Sequence, residues 1–581
     1  VPLLRRARAA AIGTALLATG CLAIPPLAHA DSGQAPCVQG GPALRYLVVF
    51  AQGTTAEDAT SQVTDSCGTT TVYYPQIAVA VATSADPGFG TRMGLDRAYS
   101  AQAQAYATQG APDASPKSDE LPRASGAING EADRDLAARQ WDMAMIRADR
   151  AHRINEGSRK VLVGVLDSGI DPHHPALAGA LDTTTSAGCV TGAPRTGTAA
   201  WAPTTSSHGT HVAGTIVAAD DGTGTTGVAP GVRVASVKVV DDDGYIYPEA
   251  AVCGFMWAAR EHMTIANNSY FVDPWVFTCA DSPGQQVIYQ AVERAVTYAT
   301  DHGVLSIAAA GNAGVDLTNP GQDNRSPDNM DSDHQEQRQL DDTCVQLPAG
   351  VPGVVTVSAV GADGVKASYS SYGLGAVDLT APGGDPLQRA ATGASCVLST
   401  VPTGYASSCG TSMAAPHVAG VAALLASTHP DATPRELTRL LDSQADPIAC
   451  PADYDLNDTG EQDAYCTGDS TYNSFYGHGM VDALTAVSSG SGQRQPAGSP
   501  SGRPTRQQDV TPARRTSPTS TTPTPAVPTT SAAPTTVQQP TGPAVPPPST
   551  SAPPPPTTPT PRPEVNPNDG PANSLALLGV W

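Results

Sequence analysis

Apolar residues recur along this chain in two different rhythms. Between about residue 136 and residue 487, short and nearly continuous apolar runs follow one another: Val161–Leu166 (VLVGVL), Val232–Val240 (VRVASVKVV), Thr264–Asn267, Val304–Ala310 (VLSIAAA) and Val354–Val360 (VVTVSAV). Helix-compatible stretches lie among them, including His211–Ala219, Pro248–Arg260, Gln286–His302, Ser412–Thr428 and Pro434–Gln444. Runs of strand length without polar alternation suit strands covered on both faces. Their exchange with helices predicts an α/β fold, a mostly parallel sheet with helices on both faces.

The second rhythm precedes the first. Leu44–Ala51 is strand-like, Thr55–Val63 contains a helix-compatible stretch, and Thr70–Thr83 (TTVYYPQIAVAVAT) alternates as one strand, which predicts a small α+β unit. Residues 101–135 are rich in Ala, Gln, Gly, Ser and Pro and read as an accessible linker, open to proteolytic cutting. From about Ser488 onward the chain turns to Pro, Thr, Ser and Ala, with no aromatic residue before Trp581. Such a segment cannot bury enough apolar area to offset its ordering entropy, so it is expected to be a disordered, extended spacer that could cross a cell wall.

The N-terminus reads as an export signal. Arg5, Arg6 and Arg8 precede an apolar run to about Leu27, and Ala28-His29-Ala30 forms an A-x-A cleavage site. The expected divisions are therefore a signal peptide (1–30), a small unit with its linker (31–125), a main domain (126–487) and the tail (488–581).

Composition narrows the function. The net charge of −22 over 581 residues argues against a nucleic-acid or anionic-membrane partner and suits a soluble exported protein. Of eleven cysteines, Cys21 falls in the signal peptide, Cys37 and Cys67 in the small unit, and the remaining eight between 189 and 466. None shows CxxC spacing. Both even groups suit disulfides, one bridge in the first and up to four in the second, with the pairing left open.

Four segments carry candidate chemistry. In VLVGVLDSGID a strand ends at Asp167; alone, this could be a strand terminator or a helix cap. In SHGTHVAG, His208 opens a helix, and imidazole exchanges protons near neutrality. His211 lacks the H-E-x-x-H context of a metal site and reads as packing. In CGTSMAAPHVAG, Ser412 stands at a helix start, where a serine is commonly an N-cap but where backbone N–H groups can also face an oxyanion. His417 reads as structural. In AAAGN, a buried strand ends in a glycine turn that presents Asn312, an amide donor or an ordinary turn residue.

Together and in this order, VLVGVLDSGID, SHGTHVAG and GTSMAAPHVAG closely resemble the Asp, His and Ser blocks of subtilisin-like serine peptidases, the subtilases, of the secreted bacterial type made with a propeptide. The resemblance covers roughly residues 136–487. It implies a secreted serine endopeptidase in which Asp167 orients His208, His208 is general base then general acid, Ser412 is the nucleophile, and Asn312 with the Ser412 N–H forms the oxyanion hole. It implies substrate binding at Ser269, Tyr270, Phe271 and Tyr245. The small unit is similar in size and pattern to the inhibitory propeptide, cleaved from a self-processed precursor.

Where the family carries Ser-Leu-Gly-Gly, this chain has Ser269-Tyr270-Phe271-Val272, so bulky side chains replace pocket glycines. Asp273–Gly284 lengthens the following loop. A second insertion, 315–343, lacks the D-x-D-x-D-G spacing of a calcium loop and reads as a solvated loop. The resemblance implies no cofactor for the chemistry and leaves structural calcium unassigned. Expected partners are protein or peptide substrates and the chain's own propeptide, with no nucleic acid, cell-wall association through the tail, and a monomeric state. The alternative is a wall-associated, non-catalytic binding protein on the same scaffold. A lipase or esterase would require G-x-S-x-G, which Gly410-Thr411-Ser412-Met413-Ala414 lacks.

Overall fold

The computed structural model describes residues 36–38, 40–110, 125–128, 135–391, 393–457 and 459–488. The expected signal peptide, most of the linker after Gly110 and the tail beyond Ser488 lie outside the described residues.

The N-terminal unit contains β1 (Leu44–Val49), α1 (Ala56–Asp65), β2 (Thr69–Tyr74), β3 (Val79–Ser84), β4 (Ala98–Tyr99) and α2 (Ala101–Gln109). Its strands form an antiparallel sheet in the order β2-β3-β1-β4. Two expectations fail here. The stretch 70–83 is not one strand: Ile77 N–H donates to the Tyr74 carbonyl and Ala78 takes a left-handed φ of 53°, so the chain reverses after Pro75 and β3 pairs back on β2. The linker does not begin at 101 either. The Ser100 hydroxyl accepts from the Ala103 N–H at 2.9 Å, and Gly110 closes α2 at φ 85°. The Ala- and Gln-rich sequence between those caps is good helix material. In addition, Ser125–Ile128 forms a strand against Gly404–Ser408 within the expected linker.

The main domain is built on β5 (Leu162–Asp167), β6 (Ala187–Gly188), α3 (His208–Val217), β7 (Arg233–Lys238), α4 (Pro248–Arg260), β8 (Ile265–Asn268), α5 (Gln285–Asp301) and β9 (Leu305–Ala309). It continues through the hairpin β10 (Gln322–Ser326) and β11 (Glu336–Gln339), then β12 (Val355–Val360), β13 (Leu379–Pro382), the hairpin β14 (Val397–Val401) and β15 (Gly404–Ser408), α6 (Thr411–Thr428) and α7 (Pro434–Gln444). Seven strands form a parallel sheet in the order β13-β12-β9-β8-β5-β7-β6. This is the predicted α/β architecture.

The period-two geometry of each strand feeds two separate cores. Val163 and Val165 of β5, Val234, Ile265 and Ile307 pack with α3 and α6, through Val212, Ile216, Val418 and Val421. Leu162, Leu166, Val237, Ala266 and Ala308 face the other way, toward Val252 and Phe255 of α4 and Ile288 and Val292 of α5. Gly164 shares the second face, where a Cβ would stand 2.4 Å from the Met263 sulfur. The N-terminal sheet joins this second core through Leu47, Val49, Val79 and Val81, while Tyr46, Val48 and Ala80 of its strands pack against α1.

The 315–343 insertion is ordered where a solvated loop was expected. Its β10–β11 hairpin leads into Cys344, whose disulfide with Cys279 ties this region to the 273–284 loop, and Arg338 pairs with buried Asp323 at 2.5 Å. The polar composition hid this because the hairpin is held by an ion pair, and only Val315, Leu317 and Leu340 of the insertion pack on the Phe271 cluster.

The remaining bridges are Cys37–Cys67, Cys189–Cys253, Cys396–Cys409 and Cys450–Cys466, so one falls in the N-terminal unit and four in the main domain. Cys396–Cys409 closes a separation of 13 residues at the base of the β14–β15 hairpin, immediately before α6. Replacing both cysteines by alanine is expected to lower the unfolding free energy by about 3 kcal/mol, measurable as a shift of the urea midpoint.

Candidate active site

The chain visits β5, β6 and β7 on one side and then crosses β5 to continue with β8, β9, β12 and β13. The C-terminal end of β5 is therefore the switch point of the sheet, where a crevice opens beyond the strand ends. Asp167 ends β5, Ser269 follows β8 and Asn312 lies just beyond β9. The helix α6 brings Ser412 to the same edge.

Asp167 and His208 are 1% and 6% exposed. The His208 Nδ1 stands 2.8 Å and 2.9 Å from the two Asp167 carboxylate oxygens, and the Ser168 N–H donates to Oδ1 at 2.7 Å. A buried carboxylate next to Nδ1 makes that nitrogen the N–H donor and leaves Nε2 as the basic position. Nε2 is buried with no hydrogen-bond partner among the described residues. Close approach requires two glycines. Gly169 holds φ 107°, and a Cβ on Gly209 would meet the Gly169 carbonyl at 2.5 Å and the Asp167 Cβ at 3.1 Å. The Ser168 hydroxyl then accepts the Gly209 N–H at 2.9 Å, fixing the first turn of α3 against the end of β5.

Ser412 is buried at the start of α6. Its hydroxyl donates to the Ser269 carbonyl at 3.1 Å, and the Ser269 hydroxyl donates back to the Ser412 carbonyl at 2.9 Å. No hydrogen bond joins Ser412 to His208. Asn312 is held from the adjacent residue: its Oδ1 accepts from both the N–H and the hydroxyl of Thr411 at 2.9 Å, while the Thr411 hydroxyl accepts from the Gly311 N–H at 3.1 Å. With the amide oxygen so engaged, the NH2 group is the end left for the cleft. Nothing in the sequence patterning singled out Thr411; its place beside Ser412 in the Gly-Thr-Ser turn was the available signal.

The cleft at this edge is small, about 40 Å³, and is lined by Ser269, Tyr270, Phe271, Asn312, Thr411 and Ser412 among others. Phe271 packs with Val276 and Phe277 against the Cys279–Cys344 bridge, and the Tyr270 hydroxyl donates to Asn268 Oδ1 at 3.1 Å. Tyr245 does not line the cleft, although its neighbours Gly244 and Ile246 do. It is buried against Tyr247 and Ala101, and its hydroxyl donates to the Asp328 carbonyl. Successive side chains of the 244–247 segment face opposite ways, so only one set can reach the cleft.

The other histidines of the motifs are structural in their surroundings. His417 is fully buried, with Nδ1 on the Met413 carbonyl and Nε2 3.1 Å from Asp142. His211 places Nε2 on the Ala406 carbonyl, and burial, reinforced by the neighbouring His208, pushes its pKa down to about 3. Among the described residues the one close group of three potential metal ligands is Cys37, Cys67 and Asp86, and both sulfurs there are consumed in a disulfide.

The model of the subtilase family (Peptidase_S8) matches residues 158–479, more than half of the chain. The chain belongs to the subtilase family. This subtilase is 33% identical to subtilisin BL of Lederbergia lenta over 291 residues, covering 50% of this chain and 85% of that protein. It is 30% identical to subtilisin DY of Bacillus licheniformis over 348 residues, covering 60% and 98%. Among solved structures it resembles the epidermin leader peptide processing serine protease of Staphylococcus aureus in fold, with a TM-score of 0.55 at 19% identity, over 78% of this chain and 100% of that one. As a subtilase it is a serine endopeptidase.

Two outcomes follow from the site. Thr411→Val keeps the volume and the backbone N–H but removes the hydroxyl bridge, one of the two hydrogen bonds that hold the Asn312 amide; turnover should fall about tenfold with KM little changed, read by steady-state kinetics. Native His211 stays neutral while the unfolded side chain takes a proton near pH 6.5, so stability is lost as pH falls from about 6.5 toward 3. In His211→Gln that acid limb should be shallower, as measured by urea unfolding across pH.

Proposed function

We propose that the protein is an exported, self-processing endopeptidase that hydrolyses peptide bonds with Asp167, His208 and Ser412 through an acyl-enzyme. The observation that carries this is the buried Asp167–His208 hydrogen bond beside a serine whose neighbour, Thr411, aims Asn312. In this reading the Ser412 hydroxyl rotates from the Ser269 carbonyl toward His208 Nε2 and gives it the proton. Oγ then bonds to the scissile carbonyl carbon, and the resulting oxyanion takes hydrogen bonds from the Asn312 NH2 and the Ser412 N–H. The imidazolium, stabilised by Asp167, protonates the leaving amine as the C–N bond breaks. Water, deprotonated by His208, releases the acid and regenerates Ser412. The chemistry uses no cofactor.

The precursor reading draws support from the N-terminal sheet, which covers apolar surface of α4 and α5 while Arg45 pairs with Glu249 at 2.9 Å. Cutting is proposed in the linker between Gly110 and Asp135, beyond α2. The A-x-A site after the apolar leader and the five disulfides support export. The substrates are proteins or peptides, with wall retention through the tail.

Ser412→Ala is expected to accumulate as uncut precursor, to lose labelling by a fluorophosphonate and to leave unfolded casein intact; labelling that persists in the variant would overturn the assignment of the nucleophile. Asn312→Ala should retain labelling while its turnover drops about 100- to 1000-fold.

A further inference from the structure

The turn that presents Asn312 is fastened on two sides. On one, the Gly311 N–H donates to the Thr411 hydroxyl at 3.1 Å. On the other, the Gly311 carbonyl accepts the Ser371 N–H at 3.0 Å. Gly311 holds φ 92°, and a glycine backbone brings little stiffness of its own. The direction in which Asn312 leaves the turn therefore depends on what fixes these two partners.

The Ser371 N–H lies in the same peptide plane as the Ser370 carbonyl, and that carbonyl accepts from Lys366 Nζ at 2.7 Å. Two hydrogen bonds and one amide plane thus lead from the ammonium to the Gly311 carbonyl, whose own peptide carries the Asn312 N–H. Lys366 Nζ also donates to the Ala367 carbonyl at 3.0 Å, which closes the turn after β12. A cation on one end of an amide strengthens the donor at the other end.

The lysine sits in a box that favours its charge at that point. It is 1% exposed, and Nζ stands 5.2, 5.1 and 5.4 Å from the ring centroids of Tyr372, Tyr454 and Phe475. Phe475 meets both tyrosines edge-on, and the Tyr454 hydroxyl donates to the Lys366 and Ala367 carbonyls at 3.2 and 3.3 Å. The Lys366 N–H donates to the Tyr476 hydroxyl at 3.3 Å. Among the described residues the ammonium meets carbonyls and ring faces and no carboxylate. Burial pushes its pKa down to about 7, with Asp385 and Asp463 pulling the other way. An unbranched apolar side chain would fill the same box without that penalty, but it would leave the Ser370 carbonyl without its donor.

We infer that Lys366 is a positioning residue for the turn that binds the oxyanion: through the Ser370–Ser371 peptide it fixes the Gly311 carbonyl, and with it the aim of Asn312. The inference rests on the proposed role of Asn312. Lys366 stays out of the cleft, and a loosened turn is felt when the oxyanion forms, so the effect falls on kcat rather than KM.

The test counts turnover per nucleophile titrated with a fluorophosphonate, so the folded fraction of each variant cancels. Lys366→Met should lower kcat about tenfold with KM little changed. In the Asn312→Ala background the same substitution should change kcat less than about twofold, because the group that Lys366 aims is gone. Lys366→Arg keeps a permanent cation; it should hold its turnover above pH 7, where the wild type declines as Lys366 loses its proton. An undiminished kcat per titrated site in Lys366→Met, or an equal loss with and without Asn312, overturns the positioning role and leaves the peptidase reading standing. An alkaline limb that Lys366→Arg shares with the wild type does the same, and decides the matter if Lys366→Met yields no titratable protein. An Asn312→Ala variant with full turnover overturns the oxyanion reading and this inference with it.

Discussion

Everything at the active edge depends on burying one carboxylate without leaving it unsatisfied. Asp167 ends a strand covered on both faces, where an unpaired charge would be expensive. Two donors answer it, the Ser168 N–H from its own turn and the His208 imidazole from α3. The imidazole is therefore not merely near the carboxylate; its orientation is the condition on which Asp167 can be buried at all. The glycines at 169 and 209 belong to the same constraint, since any side chain at 209 would drive α3 off the strand end.

The sheet turns this local constraint into a site. Because strands β5, β8 and β9 are neighbours in parallel, their C-terminal ends deliver Asp167, Ser269 and Asn312 to one edge. The core beneath them holds α3 and α6 against the same face, so the residues that open those helices, His208 and Ser412, arrive at that edge too. The opposite core is shared with the N-terminal sheet. Removing that unit would uncover Leu47, Val49, Val79 and Val81 and the helix surface they meet, an apolar exposure that favours the covered state until the covalent connection and then the contacts are lost.

Much of this was legible in the sequence because it is written in short range. Strand and helix limits agree with the apolar runs to within a few residues, as Pro248–Arg260 and Pro434–Gln444 show, since those helices carry their own proline start and periodicity. What escaped notice rests either on local turn and cap geometry or on partners distant in sequence. The reversal at 75–78 rests on a left-handed alanine, which no pattern of polarity signals. Helix α2 is short and continues into the Gly-, Ser- and Pro-rich linker, so its Ala- and Gln-rich composition was read with the linker although caps at Ser100 and Gly110 set it apart. The 315–343 hairpin is held by Arg338 and Asp323, and it leads into a disulfide whose pairing spacing alone left open. Thr411 looked like one residue of a turn until its hydroxyl was seen bridging Gly311 and Asn312.

The insertions also explain why this chain departs from its family where it does. Phe271 lines the cleft beside Ser412, and a buried aromatic there needs a surface to pack on. The 273–284 loop and the segments flanking the hairpin supply it, since Phe271, Val276, Phe277 and the Cys279–Cys344 bridge form one cluster against which Val315, Leu317 and Leu340 pack. Phe271 and the 273–284 loop thus pack as one unit. Ile246, Tyr270, Phe271, Val276 and Ala309 give the cleft beside Ser412 an apolar lining. Arg325 of the hairpin and Val276 of the 273–284 loop line that same cleft, so both added elements shape the surface around Ser412.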